Sequence, residues 1–470
     1  MKKYFFFTHT ILAGLSILSV AATSCKRLVE IPGNPPTQIT EAQQFADSAA
    51  AMAAVAGVYT YPNNSGGGSN FTFNDGLLAV CAGLSSDEIS LTSSYADQQA
   101  FYSYNISPLN YAVASLWTNP YTGIYPVNAI ITQVQLSPGL SVSFKKQIVG
   151  EMKVLRALYH FDLVNLFGDV PLITSTDYNL NNKIGRTPTD SVYDQILRDL
   201  TDAQQDLQAG YPSAGKYRPN KNVATAFLAK VLLYRKEWQA AYDAANTVIS
   251  SNAYSLESDL NNVFLDGSQE AIWQLPADND YMVTEDAQEF LPYYPGATPS
   301  YILTPFLLNA FESGDQRLQN WVGSVNPYGG GPTVYYPFKY KNMYPSSNVE
   351  DFMIFRFAEQ YLIRAEAAAH LGRGSDALAD LNTLRARAGL GASTADPSDQ
   401  AAVLNAVLHE RQVEMFTEWG NRWFDLKRTG TATAVLGSEK TGFVSSDSLY
   451  PVPNAQLQLN PLLKQNPGYH

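Results

Sequence analysis

From Phe144 to Phe167 the sequence holds one helical period, with Leu155, Tyr159, Leu163 and Leu166 at i, i+4, i+8 and i+11, and Gly168 and Pro171 close it. A helix with one apolar stripe cannot bury that stripe alone; it needs neighbours. The sequence supplies them in pairs. Helical patterns over Ala224 to Lys236 and Gln239 to Ser250 meet at a tight turn before Trp238, and those over Gln360 to Leu371 and Ser375 to Ala388 meet at Gly372-Arg373-Gly374. In the second helix of each pair, Ala241, Ala244, Ala245 and Val248 take the same spacing as Ala377, Asp380, Leu381 and Leu384. Further helices are predicted from Thr40-Glu41 through Ala56, with Phe45, Ala49, Met52 and Ala56 on one face, and around Leu116 to Val134. The fold class is mainly α.

Small residues at Ala229/Ala241 and Ala365/Ala377 stand where tetratricopeptide-like hairpins need close helix approach, and such hairpins serve as scaffold. Two irregular insertions, about 62–115 and 252–348, interrupt this body, which otherwise reads as a single domain over 40–470. The run Asn63 to Ser69 (NNSGGGS) predicts a flexible loop. Gly, Pro, Asn and Tyr dominate the second insertion, as in Tyr293-Tyr294-Pro295-Gly296, and predict loops with short strands. Loops on a rigid scaffold are where function concentrates.

Those loops are rich in aromatics: Phe71, Phe73, Tyr95, Phe101, Tyr102 and Tyr104 in the first, then Tyr281, Tyr293, Tyr294, Tyr301, Trp321, Tyr328, Tyr335 and Tyr336 in the second. Asn74, Asp97, Gln98, Asn279 and Asp280 lie beside them. A sugar ring stacks its C–H face on an aromatic ring, and its hydroxyls call for planar polar partners. Tyr95, Tyr102, Tyr281, Tyr293 and Trp321 are the ligand-binding candidates, whereas Trp117 and Trp273, in apolar surroundings, read as core.

The start of the chain has a different logic. Lys2 and Lys3 precede an apolar run from Phe5 to Val20 that is too short and interrupted to span a membrane, and the run ends at Ala22-Thr23-Ser24-Cys25. Small residues followed by a cysteine resemble a bacterial lipobox, which makes residues 1–24 a signal peptide and Cys25 the site of lipid attachment. Several acyl chains on that cysteine anchor firmly, at about 0.8 kcal/mol per buried methylene. Pro32, Gly33, Pro35 and Pro36 keep residues 25–39 an extended tether.

Charge and motif tests remove other functions. With 31 Lys and Arg against 43 Asp and Glu, the net charge of −12 disfavours nucleic acid. The two cysteines and five histidines form no CxxC, HExxH or paired ligand spacing, which excludes a structural zinc site or a zincin; no 12-residue calcium-loop pattern appears either, although the acidic loops leave a calcium ion open, and no cofactor is expected. Cys81, among Leu77, Leu78, Val80 and Leu84, reads as a small buried residue. Gly210 to Lys216 imitates a phosphate loop, but Tyr217 replaces the Ser or Thr and a helix precedes it. Gly372-Arg373-Gly374 joins two helices, unlike a dinucleotide fingerprint. No GxSxG is present. Asp87-Glu88 is the acidic pair a glycosidase would need, yet neighbours on a strand point to opposite faces. His160 and His409 read as packing partners. No enzyme is expected.

Two segments are more specific: Arg156 to Thr174 (RALYHFDLVNLFGDVPLIT) and Glu410 to Arg428 (ERQVEMFTEWGNRWFDLKR). Together with Ala358 to Ala367, the closing stretch from Tyr450 to His470, and the lipobox followed by a helix ending Gly57-Val58-Tyr59, they resemble the SusD/RagB family of Bacteroidetes outer-membrane lipoproteins. The resemblance implies a helical body with tetratricopeptide-like hairpins supporting a loop-rich ligand region with short strands. It implies a protein at the cell exterior, lipid-anchored in the outer membrane, that passes an oligosaccharide to a SusC-like TonB-dependent transporter. Capture of a peptide or another small nutrient, or a surface glycoside hydrolase using Asp87, is the alternative. Arg156, Asp162, Glu410, Arg411, Arg422, Trp423 and Asp425, in the matching motifs, read as scaffold.

Overall fold

The computed structural model describes residues 40–60, 76–277, 283–344, 346 and 349–469. Cys25 and the tether lie outside the described residues, as do the Asn63–Ser69 loop, Phe71, Phe73, Asn74, Asn279, Asp280 and Tyr281. A short helix α1 (Glu41–Gln44) is closed by a capping box between Thr40 and Gln43. The predicted continuous helix breaks at Phe45 and restarts as α2 (Ser48–Thr60), because the Asp47 carboxylate accepts from the Ala50 amide and caps a new start. The break resets the phase: Ala51, Val55 and Val58 are buried while Ala49 and Ala56 face solvent, which corrects the face read from the sequence. Phe45 is buried as expected.

Next come α3 (Leu77–Ser85), β1 (Ile89–Leu91) and α4 (Ala96–Tyr102). Two long helices follow, α5 (Tyr111–Leu136), capped by Asn110, and α6 (Val142–Phe167), capped by Ser141. Helix α5 carries Pro120 and Pro126 inside it and starts five residues before the predicted stretch. The short α7 (Tyr178–Asn181) leads to α8 (Thr189–Asp206), α9 (Lys221–Tyr234) and α10 (Trp238–Ile249). Helix α6 packs on α5 and α8, α8 on α9, and α9 on α10. Arg156 fastens three of these: its guanidinium donates to both oxygens of Asp199 at 2.8 and 2.6 Å and to Asn128 at 2.8 Å.

The second insertion holds β2 (Ala271–Pro276), α11 (Glu285–Phe290), β3 (Tyr301–Leu303), α12 (Pro305–Ala310), α13 (Gln316–Trp321), β4 (Val322–Val325) and β5 (Val334–Pro337), and β6 (Asp351–Arg356) follows just after it. Strand β6 runs straight into α14 (Phe357–His370), followed by α15 (Gly374–Arg387), α16 (Gln400–Glu414), α17 (Asn421–Arg428), α18 (Ala432–Glu439) and α19 (Asn454–Leu459). Among the described residues the strands form three two-stranded antiparallel pairs, β1–β3, β2–β6 and β4–β5.

Helix α10 packs directly on α14, so the two predicted hairpins stack across the insertion. Ala229, Ala241, Ala365 and Ala377 are fully buried, as close helix approach requires. Arg364 on α14 joins the stack, pairing with both oxygens of Asp380 on α15 at 2.8 and 2.6 Å and with Asn246 on α10 at 2.6 Å. Trp117, Trp273 and Cys81 are buried as anticipated. Among the described residues no helix is long and apolar enough to cross a membrane.

Ion pairs in the core tie the insertion to this stack. Glu414, at the end of α16, accepts from Arg317 of α13 at 3.0 Å, Arg356 of β6 at 2.6 Å, and Arg387 of α15. Glu410, one turn earlier, accepts from Arg317 at 2.5 Å, and Glu418, just past the helix, from Arg356 at 2.8 Å and from Lys339. Glu270 of the 268–271 turn joins Arg356 and Arg387 at 2.9 and 2.7 Å. Burial pushes the Glu414 carboxyl up, but Arg387, Arg356 and Arg317 overcome it and hold it well below the usual range. A depressed carboxylate adds stability above its unfolded pKa near 4.3, lost as pH falls through the folded value.

Breaking a buried pair leaves a charge in the core without its counterpart. Glu414→Gln should therefore cost on the order of 3–5 kcal/mol. Asp190, exposed and paired with Arg235, should lose under about 1 kcal/mol as Asp190→Asn. Urea unfolding midpoints at pH 7 compare the two.

Candidate functional site

Strand pairing brings the two irregular insertions together. Ile89–Leu91 pairs with Tyr301–Leu303, and the ladder extends to the Thr92 amide, which donates to the Ser300 carbonyl at 2.9 Å. Tyr95, three residues beyond, is 54% exposed and precedes α4. In the second insertion the turn at Tyr293-Tyr294-Pro295-Gly296 is closed by the Ala297 amide on the Tyr294 carbonyl. Gly296 has φ +82°, and a Cβ there would meet the Tyr328 ring at 2.4 Å, so glycine is what lets the ring lie on the turn. The Tyr328 amide donates to the Gly296 carbonyl at 3.1 Å, and the Tyr344 hydroxyl donates to the Tyr293 carbonyl at 3.0 Å. Three loops are thereby fixed against one another, with Tyr293, Tyr294, Tyr328 and Tyr344 all more than half exposed. Tyr335 is also exposed, while its strand neighbour Tyr336 turns its ring over Gly323.

At the base of these loops a narrow cleft is walled by Phe290, Tyr340, Phe352 and Trp419, with Asp286, Lys339 and Glu418 supplying the polar lining. It admits a water-sized group and no sugar ring. Asp286 is buried with Oδ1 lacking a partner among the described residues, and burial, reinforced by Glu418, Glu289 and Glu285, raises its carboxyl well above the ordinary range. The turn behind the cleft is strained: Thr417 and Trp419 both have φ of +53°, and Gly420, at +65°, sits where a Cβ would meet Ala82 at 2.7 Å. Glu418 in the core cluster holds it, as do the Trp419 indole N–H on the Met353 carbonyl at 2.7 Å and the Thr417 amide on Glu88 at 3.0 Å.

The ligand candidates separate. Tyr95 and Tyr293 are exposed on the loop surface, and Tyr281 lies outside the described residues. Tyr102 is half-buried, with the Lys440 ammonium 4.4 Å from its ring centre and 4.5 Å from that of Tyr104, while that ammonium donates to the Leu84 and Ser86 carbonyls. Trp321 is corrected: it is fully buried, its indole N–H donates to the Leu260 carbonyl at 2.9 Å, and Lys339, Arg356 and Arg387 surround its ring at 4.9, 5.7 and 5.7 Å. Tyr344 is absent from those candidates, although the Pro-Ser-Ser-Asn run that follows it in the sequence is a turn signal. Trp419 was hidden because it stands inside a scaffold motif.

Asp87, the glycosidase candidate, is fully buried, and Arg422 takes both its oxygens at 2.8 and 2.6 Å, so it presents no carboxylate to a substrate. Arg411, Arg422, Trp423 and Asp425 are all scaffold by contact: Arg411 pairs with Asp425 at 2.7 Å, and Trp423 stacks on Tyr450. His160 is buried against the Arg156 carbonyl, and His409 meets the Ala310 carbonyl. Glu88 is raised to about 8 by burial and by Asp87, against the Thr417 amide, Arg422 and Lys339. It is mostly protonated at pH 7. A raised folded-state pKa gives stability that is complete below the unfolded value near 4.3 and is lost as pH rises through 8. Glu88→Gln keeps the acceptor for Thr417 and removes that loss. The variant should gain on the wild type between pH 5 and pH 9 by up to on the order of 4 kcal/mol in urea unfolding; parallel pH curves would contradict this.

Two family models match this chain, one in each half. Residues 42–233 match a family described as starch-binding and associating with the outer membrane, and residues 324–469 match the SusD family. The SusD-like protein P38 of Formosa agariphila is 26% identical over 79% of this chain and 83% of its own length. Among solved structures, a SusD superfamily protein from Bacteroides vulgatus superposes with a TM-score of 0.78 at 20% identity, covering 90% of this chain and 99% of that one. A laminarin-binding SusD-like protein superposes with a TM-score of 0.73 at 25% identity, covering 90% of this chain and all of the other.

Proposed function

This chain belongs to the SusD family, and from that premise we propose that it captures an oligosaccharide at the outer membrane and hands it on without chemical change. The observation that carries the reading is the surface made by Tyr293, Tyr294, Tyr328 and Tyr344, four rings exposed on loops that hydrogen-bond to one another. Aromatic faces accept the C–H side of a sugar without a conformational change in the scaffold, and phenol hydroxyls at the rim bond to sugar hydroxyls. A β-glucan is the first ligand to test, because the solved neighbour at 25% identity is named for binding laminarin. Starch follows, from the description of the family matched by residues 42–233.

In this reading Cys25 carries the lipid anchor and the tether keeps the body near the membrane, ready to pass its ligand to a SusC-like TonB-dependent transporter. An apolar face supports a protein partner. Leu109, Tyr111, Leu180, Leu459 and Leu462 are each more than half exposed, and their segments are stitched together by the Asn454 amide on the Pro108 carbonyl and the Asn460 side chain on the Ile184 carbonyl, both at 2.9 Å.

Two experiments follow. Calorimetric titration of the chain without residues 1–25 against laminari- and malto-oligosaccharides should show saturable binding, with the sugar recovered intact. Tyr293→Ala, Tyr294→Ala and Tyr328→Ala should each weaken it about three- to tenfold, the loss of one stacking contact. Shortened sugar, or affinity unmoved in all three variants, would defeat the reading; binding of peptides alone would replace the ligand and keep the role. In cells, Cys25→Ala should move the protein from the membrane pellet to the soluble fraction.

A further inference from the structure

The β4–β5 hairpin ends in a loop over residues 326–333. Its base is closed by the Val325–Val334 pair and by the Thr333 hydroxyl, which donates to the Asn326 side-chain carbonyl at 2.6 Å. At its tip the Gly330 amide donates to the Pro327 carbonyl at 3.0 Å. Tyr328 stands in this tip and is 78% exposed, yet its amide is held by the Gly296 carbonyl of the 293–297 turn. The ring itself lies on that glycine. A Cβ built on Gly296 would meet Cζ, Cε2 and Cε1 of Tyr328 at 2.4, 2.5 and 2.6 Å, with the hydroxyl oxygen no nearer. Near-equal distances to three ring carbons, on both sides of the ring axis, mean that the approach is to the flat of the ring and not to its edge.

Ordinary contact between carbons is about 3.5–4.0 Å, so a side chain at 296 has to lift the ring by about 1 Å or more. One face of Tyr328 is therefore taken by the turn, and its exposure leaves the other face open. Gly330 supplies the contrast: its φ of +79° matches the +82° of Gly296, but a Cβ there would find nothing within 4 Å. The two glycines share a backbone demand, and Gly296 alone of the two carries the ring. On the reading that these tyrosines take sugar, we propose that Gly296 is a positioning residue of the site: its missing side chain seats Tyr328 flat on the turn, so that the ring offers a sugar one fixed, open face. A seated ring has little rotamer freedom left to lose when the sugar arrives, whereas a lifted ring has to be ordered on binding.

Calorimetry with laminarihexaose and maltohexaose tests this on the chain without residues 1–25. For the sugar that binds, Gly296→Ala should weaken affinity about three- to tenfold, as Tyr328→Ala does, and the double variant should fall no further than either. Gly330→Ala, which puts a side chain at the same positive φ in open space, should stay within about twofold. Circular dichroism establishes that each variant keeps its fold. A second readout needs no sugar. In spectra of the chain carrying isotope-labelled glycine, the Gly296 α protons should be shifted upfield by the ring above them and return to ordinary values in Tyr328→Ala. Wild-type affinity in Gly296→Ala, losses that multiply in the double variant, an equal loss in Gly330→Ala, or unshifted Gly296 α protons would each overturn the assignment while leaving sugar capture in place. A wild type that binds neither sugar would instead defeat the capture reading and this assignment with it.

Discussion

The rest of the molecule depends on Glu414. Its carboxylate lies fully buried among three guanidiniums drawn from α13, β6 and α15, and each of those is shared with another acid: Arg317 with Asp315 and Glu410, Arg356 with Glu270 and Glu418, Arg387 with Glu270. Three of the acids come from one stretch, at 410, 414 and 418, so a single helix and the turn after it present a column of negative charge to the insertion. Arg387 comes from a regular helix, but Arg317 and the shared Glu270 come from segments that are irregular in sequence and would otherwise have little reason to settle in one place. A buried ion pair is a weak source of net stability, but a mismatched one is very costly. The arrangement therefore acts by penalising every other placement of the loops.

That constraint explains both what could be read from the sequence and what could not. Helices α6, α9, α10, α14 and α15 announce themselves because a 3.6-residue period and buried alanines are local signals, fully visible within a dozen residues. Asp380, the charged residue in the hairpin spacing, is the partner of Arg364. Trp321 was misread because aromatics in Gly- and Tyr-rich loops look exposed. Its burial is decided by Lys339, Arg356 and Arg387, which reach it from up to 66 positions away in sequence. The break before α2 follows from one capping side chain, Asp47, which the apolar pattern overrode. Tyr293 could be anticipated from its turn, whereas its contact with Tyr344 joins segments 51 residues apart and leaves no mark in either.

The same division runs through function. The helical stack and the ion cluster are stiff, and the exposed tyrosines stand on loops that those parts hold in position. A platform set in advance binds sugar without first ordering a loop, which limits the entropic cost of capture. The strained turn at Thr417 to Gly420 is where scaffold and cleft meet, since Glu418 belongs to the ion cluster while Trp419 walls the cleft beneath the loops. Backbone strain of that kind persists where neighbouring contacts over-determine it.

The central claim is that ligand meets the loops while the helical stack stays as it is. Hydrogen–deuterium exchange of the chain, with and without saturating laminari-oligosaccharide, measures this directly. Protection should rise across residues 293–297 and 326–344 and remain unchanged through α8 to α10 and α14 to α16. Protection confined to the helices, with the tyrosine loops unaffected at saturation, would contradict the account.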